Sequence, residues 1–428
     1  MTAQGWMSAC CSIDVQEQQL RNAVRVVQQS KRHTSATIVL TQPLLLCLQD
    51  IKQMPSCNKI GLLQLAMNCN SHATAATVAA RHLLALLEPA AARKLLLTAV
   101  QRRHADAVQC MLAKSAVAEH VDAANVTAAI NQLLAAHRDH TSSGQLASVL
   151  VALPAAQQLD GPAVMHLMRT AAAEHDNCVC VRHLCTLPAA QQLGSEEVLQ
   201  LLQVVVAAAP GVRSCFDWST DHLSTLPAAQ QISSVDVAVL LVTAMQRVNF
   251  DSATYLCKLP GAQQLSSDQV ARVLKAAVQH SKVGIATASL CKLPAAQLLS
   301  SSIVLDMMVV AGKRNDFFST HALCQLPAAE QLPRHSVRQL MHITMDTDDG
   351  NCINELCSLP AAEQLRRRDI IKLLDNAVMC DSAHCLGCLI GLPAAQNLER
   401  EAIEGLLNDA AAYGCSRECM RHLQWLQG

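Results

Sequence analysis

Aromatic residues are nearly missing from this chain: 4 Phe, 3 Trp and 2 Tyr stand among 428 residues. Sheets use aromatic and β-branched side chains to cover a pleated surface, so this scarcity argues against a β architecture. Half of the residues are apolar nonetheless, mostly Leu, Ala and Val. Ala and Leu are the best helix formers, and the composition reads as close-packed helices. Charge imbalance is missing too. The 33 Lys and Arg meet 34 Asp and Glu for a net charge of −1. That withholds the basic footprint of a phosphate-binding surface and speaks against a nucleic-acid partner. No stretch approaches the roughly 18 apolar residues of a spanning helix, so no membrane association is expected. Met1 to Asp14 lacks the basic segment and apolar run of a secretory signal, which points to the cytoplasm. Arg21, Arg25, Lys31 and Arg32, with no acid between residues 18 and 42, leave organellar targeting open.

Signatures of catalysis are also absent. The chain has no Gly-rich phosphate loop, no Gly-x-Ser-x-Gly elbow and no His-Glu-x-x-His. No catalytic residue and no cofactor is expected, and the chain reads as a non-enzyme. Its Cys and His residues group in three places: Cys178, Cys180, His183 and Cys185; Cys385 and Cys388; and Cys415, Cys419 and His422. Structural zinc needs four ligands converging tetrahedrally. On one helix Cys180 and Cys185 point about 140° apart at 3.6 residues per turn, so no metal site is expected.

What the chain has in abundance is one phrase. Leu-Pro-Ala-Ala-Gln-Gln-Leu runs from Leu153 to Leu159 and returns with small changes from Leu187, Leu226, Leu259, Leu293, Leu326, Leu359 and Leu392. Glu330 and Glu363 replace its first glutamine. The successive spacings are 34, 39, 33, 34, 33, 33 and 33 residues. A fixed period in this range marks a stacked-repeat architecture whose units each contact only their neighbours.

Between the phrases the pattern resolves into helices. Ten residues after each proline stands Val164, Val198, Val237, Val270, Val304, Val337, Ile370 or Ile403. Rows three, four and seven positions further on are apolar in nearly every unit, ending in Ala171, Val205, Ala244, Ala277, Ala311, Thr344, Ala377 and Ala410. An i, i+3, i+4, i+7 stripe repeated eight times is one face of a helix. Ser195, Ser234, Ser267, Ser302 and Asp369 near its start suit an N-cap. A polar turn leads to a second helix with a leucine four residues before every motif proline. The residue before proline is pushed out of α geometry, so Leu187 and its equivalents should end that helix. Proline then opens a short third turn, where its missing N–H costs nothing.

The expected fold is therefore all-α: an α-solenoid of about ten or eleven stacked helix-turn-helix repeats of ~33 residues. Residues 1–57 read as an N-terminal helical cap or flexible segment, with helices at Val15 to Gln29 and Leu44 to Ile51. The array covers 58–428: degenerate repeats over 58–150, clear ones over 151–398, and a capping repeat over 399–428. Arg81-His82-Leu83, Arg182-His183-Leu184 and Arg421-His422-Leu423 echo one another across it. Of the 20 cysteines, Cys185, Cys257, Cys291, Cys324 and Cys357 each lie three residues before a motif proline. Helices packed about 8–10 Å apart keep such equivalents beyond the roughly 7 Å limit of a disulfide. They read as reduced core residues in a reducing compartment.

The period and the wording of the second helix resemble the ankyrin repeat. Ala172-Ala173, Asp176-Asn177, Cys180-Val181, Leu184-Cys185 and Pro188-Ala189 fall in that family's slots. Its Thr-Pro-Leu-His opening is absent, and Ala-Ala-Gln-Gln-Leu-Ser, which reads as helical, fills the place of its projecting finger. The resemblance implies stacked hairpins and protein recognition along a concave face, without catalysis.

Candidate partner-binding residues are the rare aromatics and one basic run. Phe216, Phe250, Phe317 and Phe318 fall in the turns between first and second helices, as does Trp218. Rigid aromatics on loops along one edge suit recognition, although they also suit closing the edge of a stack. Arg366, Arg367 and Arg368 would pair with an acidic partner, while the mixed charges elsewhere on the first helices read as a solvated face. The expected function is a non-catalytic scaffold that binds a protein partner of unknown identity along the solenoid edge or concave face. An organellar RNA-binding helical-repeat protein is the alternative, and it would want a basic face with one base-reading position per repeat. Because repeats contact only their neighbours, a chain ended after Leu299 should stay folded but melt at a lower temperature. Complete unfolding of that fragment, followed by circular dichroism, would instead indicate a single cooperative globule.

Overall fold

The computed structural model describes residues 96–100, 108, 121–135, 140–173, 178–207, 218–280, 284–345 and 350–427. The helices expected at Val15 to Gln29 and Leu44 to Ile51, and the degenerate repeat before residue 96, lie outside the described residues. Every element among the described residues is helical, and none is a strand. The chain groups into two compact units, Met1–Leu159 and Asp160–Gly428. In the first, Ala123–Ala135 buries Val126, Ile130, Leu133 and Leu134 and packs on His140–Val151. The single turn Ala156–Gln158 rests on both.

Asp160–Gly428 alternates long and short helices. The long ones are Gly161–Ala173, Ser195–Ala207, Ser234–Gln246, Ser267–His280, Ser301–Lys313, Arg334–Met345, Arg367–Met379 and Arg400–Tyr413. The short ones are Cys178–Cys185, Trp218–Ser224, Phe250–Leu256, Ile285–Cys291, Phe317–Cys324, Gly350–Cys357, Ala383–Leu389 and Arg417–Trp425. Each long helix packs on the short helix that follows it and on the next long helix, and short packs on short. The repeated stripe is the reason: Val198, Leu201, Leu202 and Val205, like Ile370, Leu373, Leu374 and Ala377, are at most 2% exposed. Opposite them the row Leu184, Leu223, Leu256, Leu290, Leu323, Leu356, Leu389 and Leu423 is buried to 1% or less. A buried leucine contributes about 1.5–3 kcal/mol, so this row alone is a large part of what holds the hairpins together. The last repeat keeps Ile403, Leu406 and Ala410 buried but leaves Leu407 half-exposed, as suits an end unit with one face in water.

The proline phrase closes each hairpin. Pro188 opens the single turn Pro188–Gln191 after an extended Leu187 with ψ 141°. The same arrangement follows Leu226, Leu259, Leu293, Leu326, Leu359 and Leu392. These leucines do not end the short helix as expected; in the first hairpin the helix stops at Cys185, before Thr186 and Leu187. The freed carbonyl at that end explains the conserved wording of the phrase within this chain. The first glutamine's side-chain amide reaches back six residues and donates to it: Gln157 to Val151 O (2.8 Å), Gln191 to Cys185 O (2.6 Å), Gln230 to Ser224 O (2.8 Å). Gln263 and Gln297 do the same to Cys257 O and Cys291 O. A helix leaves its last carbonyls without partners, and here a side chain supplies the donor.

Two further hydrogen-bonding features place the helices. Two long-helix caps lie one residue earlier than expected: Ser233 Oγ accepts from Asp236 N (3.2 Å), and Ser266 Oγ from Gln269 N (3.3 Å). Ser302 and Asp369 stand at the second and third helical positions. Ser195, Ser234 and Ser267 are instead first helical residues. Adjacent short helices also share buried hydroxyls. Thr220 Oγ1 and Ser252 Oγ are 2.7 Å apart, Thr287 Oγ1 and Ser319 Oγ are 2.9 Å apart, and Cys352 Sγ lies 3.5 Å from Thr320 Oγ1. Each pair satisfies polar groups that would be costly to bury alone.

Glutamate cannot donate in the glutamine's place, and an acid near a helix C-terminus opposes the helix dipole. Glu330→Gln should therefore raise stability by about 0.5–1 kcal/mol through one new hydrogen bond to the end of Phe317–Cys324. A urea midpoint unchanged or lowered by the substitution would count against this role for the glutamine.

Candidate functional site

The turn from long to short helix fixes where the aromatics stand. The N–H of Asn249 donates to Ala244 O (2.8 Å), that of Asp316 to Ala311 O (3.0 Å) and that of Ser382 to Ala377 O (2.9 Å). The residue before each, Val248, Asn315 or Asp381, has φ between 50° and 60°. This is the left-handed C-cap that ends many helices. Asn and Asp tolerate that conformation, whereas a β-branched valine is strained in it. The next residue then caps the short helix: Asn249 Oδ1 accepts from Ser252 N (3.2 Å) and Asp316 Oδ1 from Ser319 N (3.0 Å). Asp316 Oδ2 is buried with no hydrogen-bond partner among the described residues.

The two residues after the cap are thereby held on the first turn of the short helix. Trp218, Phe250 and Phe317 each open a helix instead of lying in the turn before it, and Phe318 follows Phe317. Phe216 lies outside the described residues. Trp218 is 47% exposed and Phe318 55%, while Phe250 and Phe317 are half-buried. The Phe317 ring meets those of Phe318 and His321 at 5.4 and 6.0 Å between centroids, and Trp218 stands 6.4 Å from His222. Phe317 and Phe250 thus take part in closing the edge, and Trp218 and Phe318 face solvent. Sequence reasoning missed Ile285, which is 51% exposed at the start of Ile285–Cys291. Its signal was positional: Trp218, Ile285 and Phe318 all precede their row leucine by five residues. The four short helices that start at Trp218, Phe250, Ile285 and Phe317 pack in succession, which sets these side chains along one edge. Gly284, with φ 59°, makes room there, since a Cβ on it would overlap Phe318 and approach Ser319 N within 2.8 Å.

Arg366, Arg367 and Arg368 do not join this edge. They lie at the start of a long helix, the end away from the turn, and a 13-residue helix spans about 20 Å. Of the three, Arg367 forms an ion pair among the described residues. Arg367 Nη1 lies 2.8 Å from Glu399 Oε1 of the next repeat, with both side chains largely exposed. Arg366 N donates to Asp369 Oδ2 (3.4 Å). Asp369 also receives Arg338 Nη1 at 2.6 Å, with Arg334 Nε 3.9 Å away. Burial pushes the Asp369 carboxyl up, but the hydrogen bonds from Arg338 and Arg366 and the charges of Arg338 and Arg334 outweigh it. Its pKa is held below the usual carboxylate value.

The cysteine groups show no chemistry of their own. Cys185, Cys257, Cys291 and Cys324 are buried free thiols and Cys357 is half-buried. Burial pushes all five up to about 12. A thiol that seldom ionises is a poor nucleophile. Among the described residues no three His, Cys, Asp or Glu side chains are placed to hold a metal ion, and no helix is long and apolar enough to cross a membrane. Compared with protein-family models, curated proteins and solved structures, the chain matches none.

The lowered pKa of Asp369 has a definite pH signature. A carboxyl whose folded value is depressed contributes stability above its unfolded value near 4, and that contribution is lost as pH falls through the folded value. Asp369→Asn should lower the urea midpoint at pH 7, with the gap to wild type closing as pH drops below about 4. A gap that stays constant from pH 7 to pH 3 would refute the assignment.

Proposed function

We propose that the repeats form an ankyrin-like α-solenoid that serves as a non-catalytic scaffold and binds a protein partner along the turn edge. One observation carries the reading: Trp218, Ile285 and Phe318 occupy the same position of the repeat and are each about half exposed. Asp251 interrupts the column in the intervening repeat, and Phe250 stands beside it. Large rigid apolar side chains on a supported edge are the anchors that dominate protein interfaces, often worth 2 kcal/mol or more each. Backbone order supports their use. At Phe318 the first turn is capped by Asp316 and holds the side chain in place before any partner arrives, which lowers the entropy lost on binding. The near-neutral charge favours a protein over a nucleic acid.

The test compares wild type with Trp218→Ser/Ile285→Ser/Phe318→Ser in affinity capture, with and without nuclease. Wild type should retain a specific protein whether or not nuclease is present. The variant should lose it while its helical circular dichroism is unchanged, because all three side chains are exposed. Capture that disappears with nuclease and falls steeply as salt rises would point to RNA instead. Capture untouched by the triple substitution would remove the edge from the binding surface.

A further inference from the structure

A second apolar surface lies on the outward side of the long helices. A solvated face of mixed charge is the expectation there, and Arg367–Met379 fits it with Lys372 and Asp375. Ser234–Gln246 and Ser301–Lys313 do not. Beyond its buried stripe the first exposes Val235 (61%) and Val239 (56%). The second carries Ile303, Leu305, Val309 and Val310 half-buried beside its core row. Ser302 and Asp306 are exposed on that second helix, so its additional apolar side chains form a strip beside the core row.

Between Ser267–His280 and Ser301–Lys313 this surface folds in to a groove of about 460 Å³. Its floor includes Ala271, Ile303, Met307 and Val310, and Ile303, Met307 and Val310 follow helical spacing at i, i+4 and i+7. Arg272 and Lys275 stand on one wall and Asp306 on the other. The two cations sit at i and i+3, so their Cβ atoms are about 5–6 Å apart and their charges repel. Neither makes an ion pair among the described residues. The groove therefore offers an apolar floor along two parallel ridges and an excess of positive charge at its rim.

We infer that this groove receives an amphipathic helix of a partner protein, its apolar stripe on Ile303, Met307 and Val310 and its carboxylates on Arg272 and Lys275. A groove between two packed helices is shaped for a third, because the ridges of one fit between the ridges of the others. Acidic groups at its edge relieve the repulsion between the two cations. The inference rests on the reading of the chain as a protein-binding array, but on different residues from those of the turn edge.

Two fluorescein-labelled synthetic 18-residue helices test it on the full chain by anisotropy. Both carry the same leucine stripe, one flanked by Glu and the other by Lys. The Glu-flanked peptide should bind at least ten-fold more tightly to wild type. Arg272→Glu/Lys275→Glu should reverse that order, and Val310→Gln should weaken binding of the Glu-flanked peptide. Phe318→Ser should change neither, so that failure here and failure of the turn edge are read separately. Equal binding of the two peptides, or a preference unmoved by the double substitution, would overturn the inference. So would a dimer in sedimentation velocity that Val310→Gln abolishes, since a second copy would then cover this face.

Discussion

A helix of seven or eight residues does not hold together by itself in water, because the cost of its first turn is never recovered. Nearly every short helix between Asp160 and Gly428 has that length. Each exists because its leucine row is buried against the long helix before it and against the short helices on either side. The same dependence reaches the long helices, whose stripe finds its cover only in neighbouring units. The helices thus depend for their stability on the helices packed against them. That explains why the phrase Leu-Pro-Ala-Ala-Gln-Gln-Leu varies so little along the chain: each copy must close one hairpin and align the next.

The polar groups follow from this arrangement. Short helices expose many ends, and ends leave N–H and C=O groups without partners. Glutamine amides satisfy carbonyls at one end, and Asn249, Asp316 or Ser382 satisfy N–H groups at the other. One such capped end, that of Phe317–Cys324, is also where Phe318 projects. Phe317, next to its cap Asp316, is half-buried, whereas Phe318, one residue further on, faces solvent.

Much of the helical architecture was legible in the sequence, because burial at a 3.6-residue period leaves a pattern that a repeat prints eight times. The rows from Val164 to Ile403 are buried as expected. What escaped needed information that periodicity does not hold. A serine before a helix and a serine at its first position look alike in sequence, so the sequence alone does not distinguish Ser233 from Ser234 as the cap. The glutamine bonds join a side chain to a carbonyl six residues back, and the Thr220–Ser252 pair joins residues 32 apart. Neither distance belongs to a helical or strand period. Ile285 was missed because attention to aromatics follows residue type, whereas exposure follows position. The pairing of Arg367 was not legible because its partner Glu399 lies 32 residues further along the chain.

The outward faces of the long helices differ from one repeat to the next. Composition there is not required by stacking, since the stripe from Val237 to Ala244 or Val304 to Ala311 already supplies the contacts between repeats. Arg334–Met345, Arg367–Met379 and Arg400–Tyr413 place Arg, Lys, Asp and Glu on that free side, the arrangement that keeps a helical surface in water. Ser234–Gln246 exposes Val235 and Val239 there instead, and Ser301–Lys313 carries half-buried Ile303, Val309 and Val310 beside exposed Ser302 and Asp306. Exposed apolar surface of this kind costs solubility and gains nothing for the hairpin itself. The two groups of repeats therefore differ in the polarity of their outward faces, and Arg272 and Lys275 stand between the apolar helices with no ion pair among the described residues.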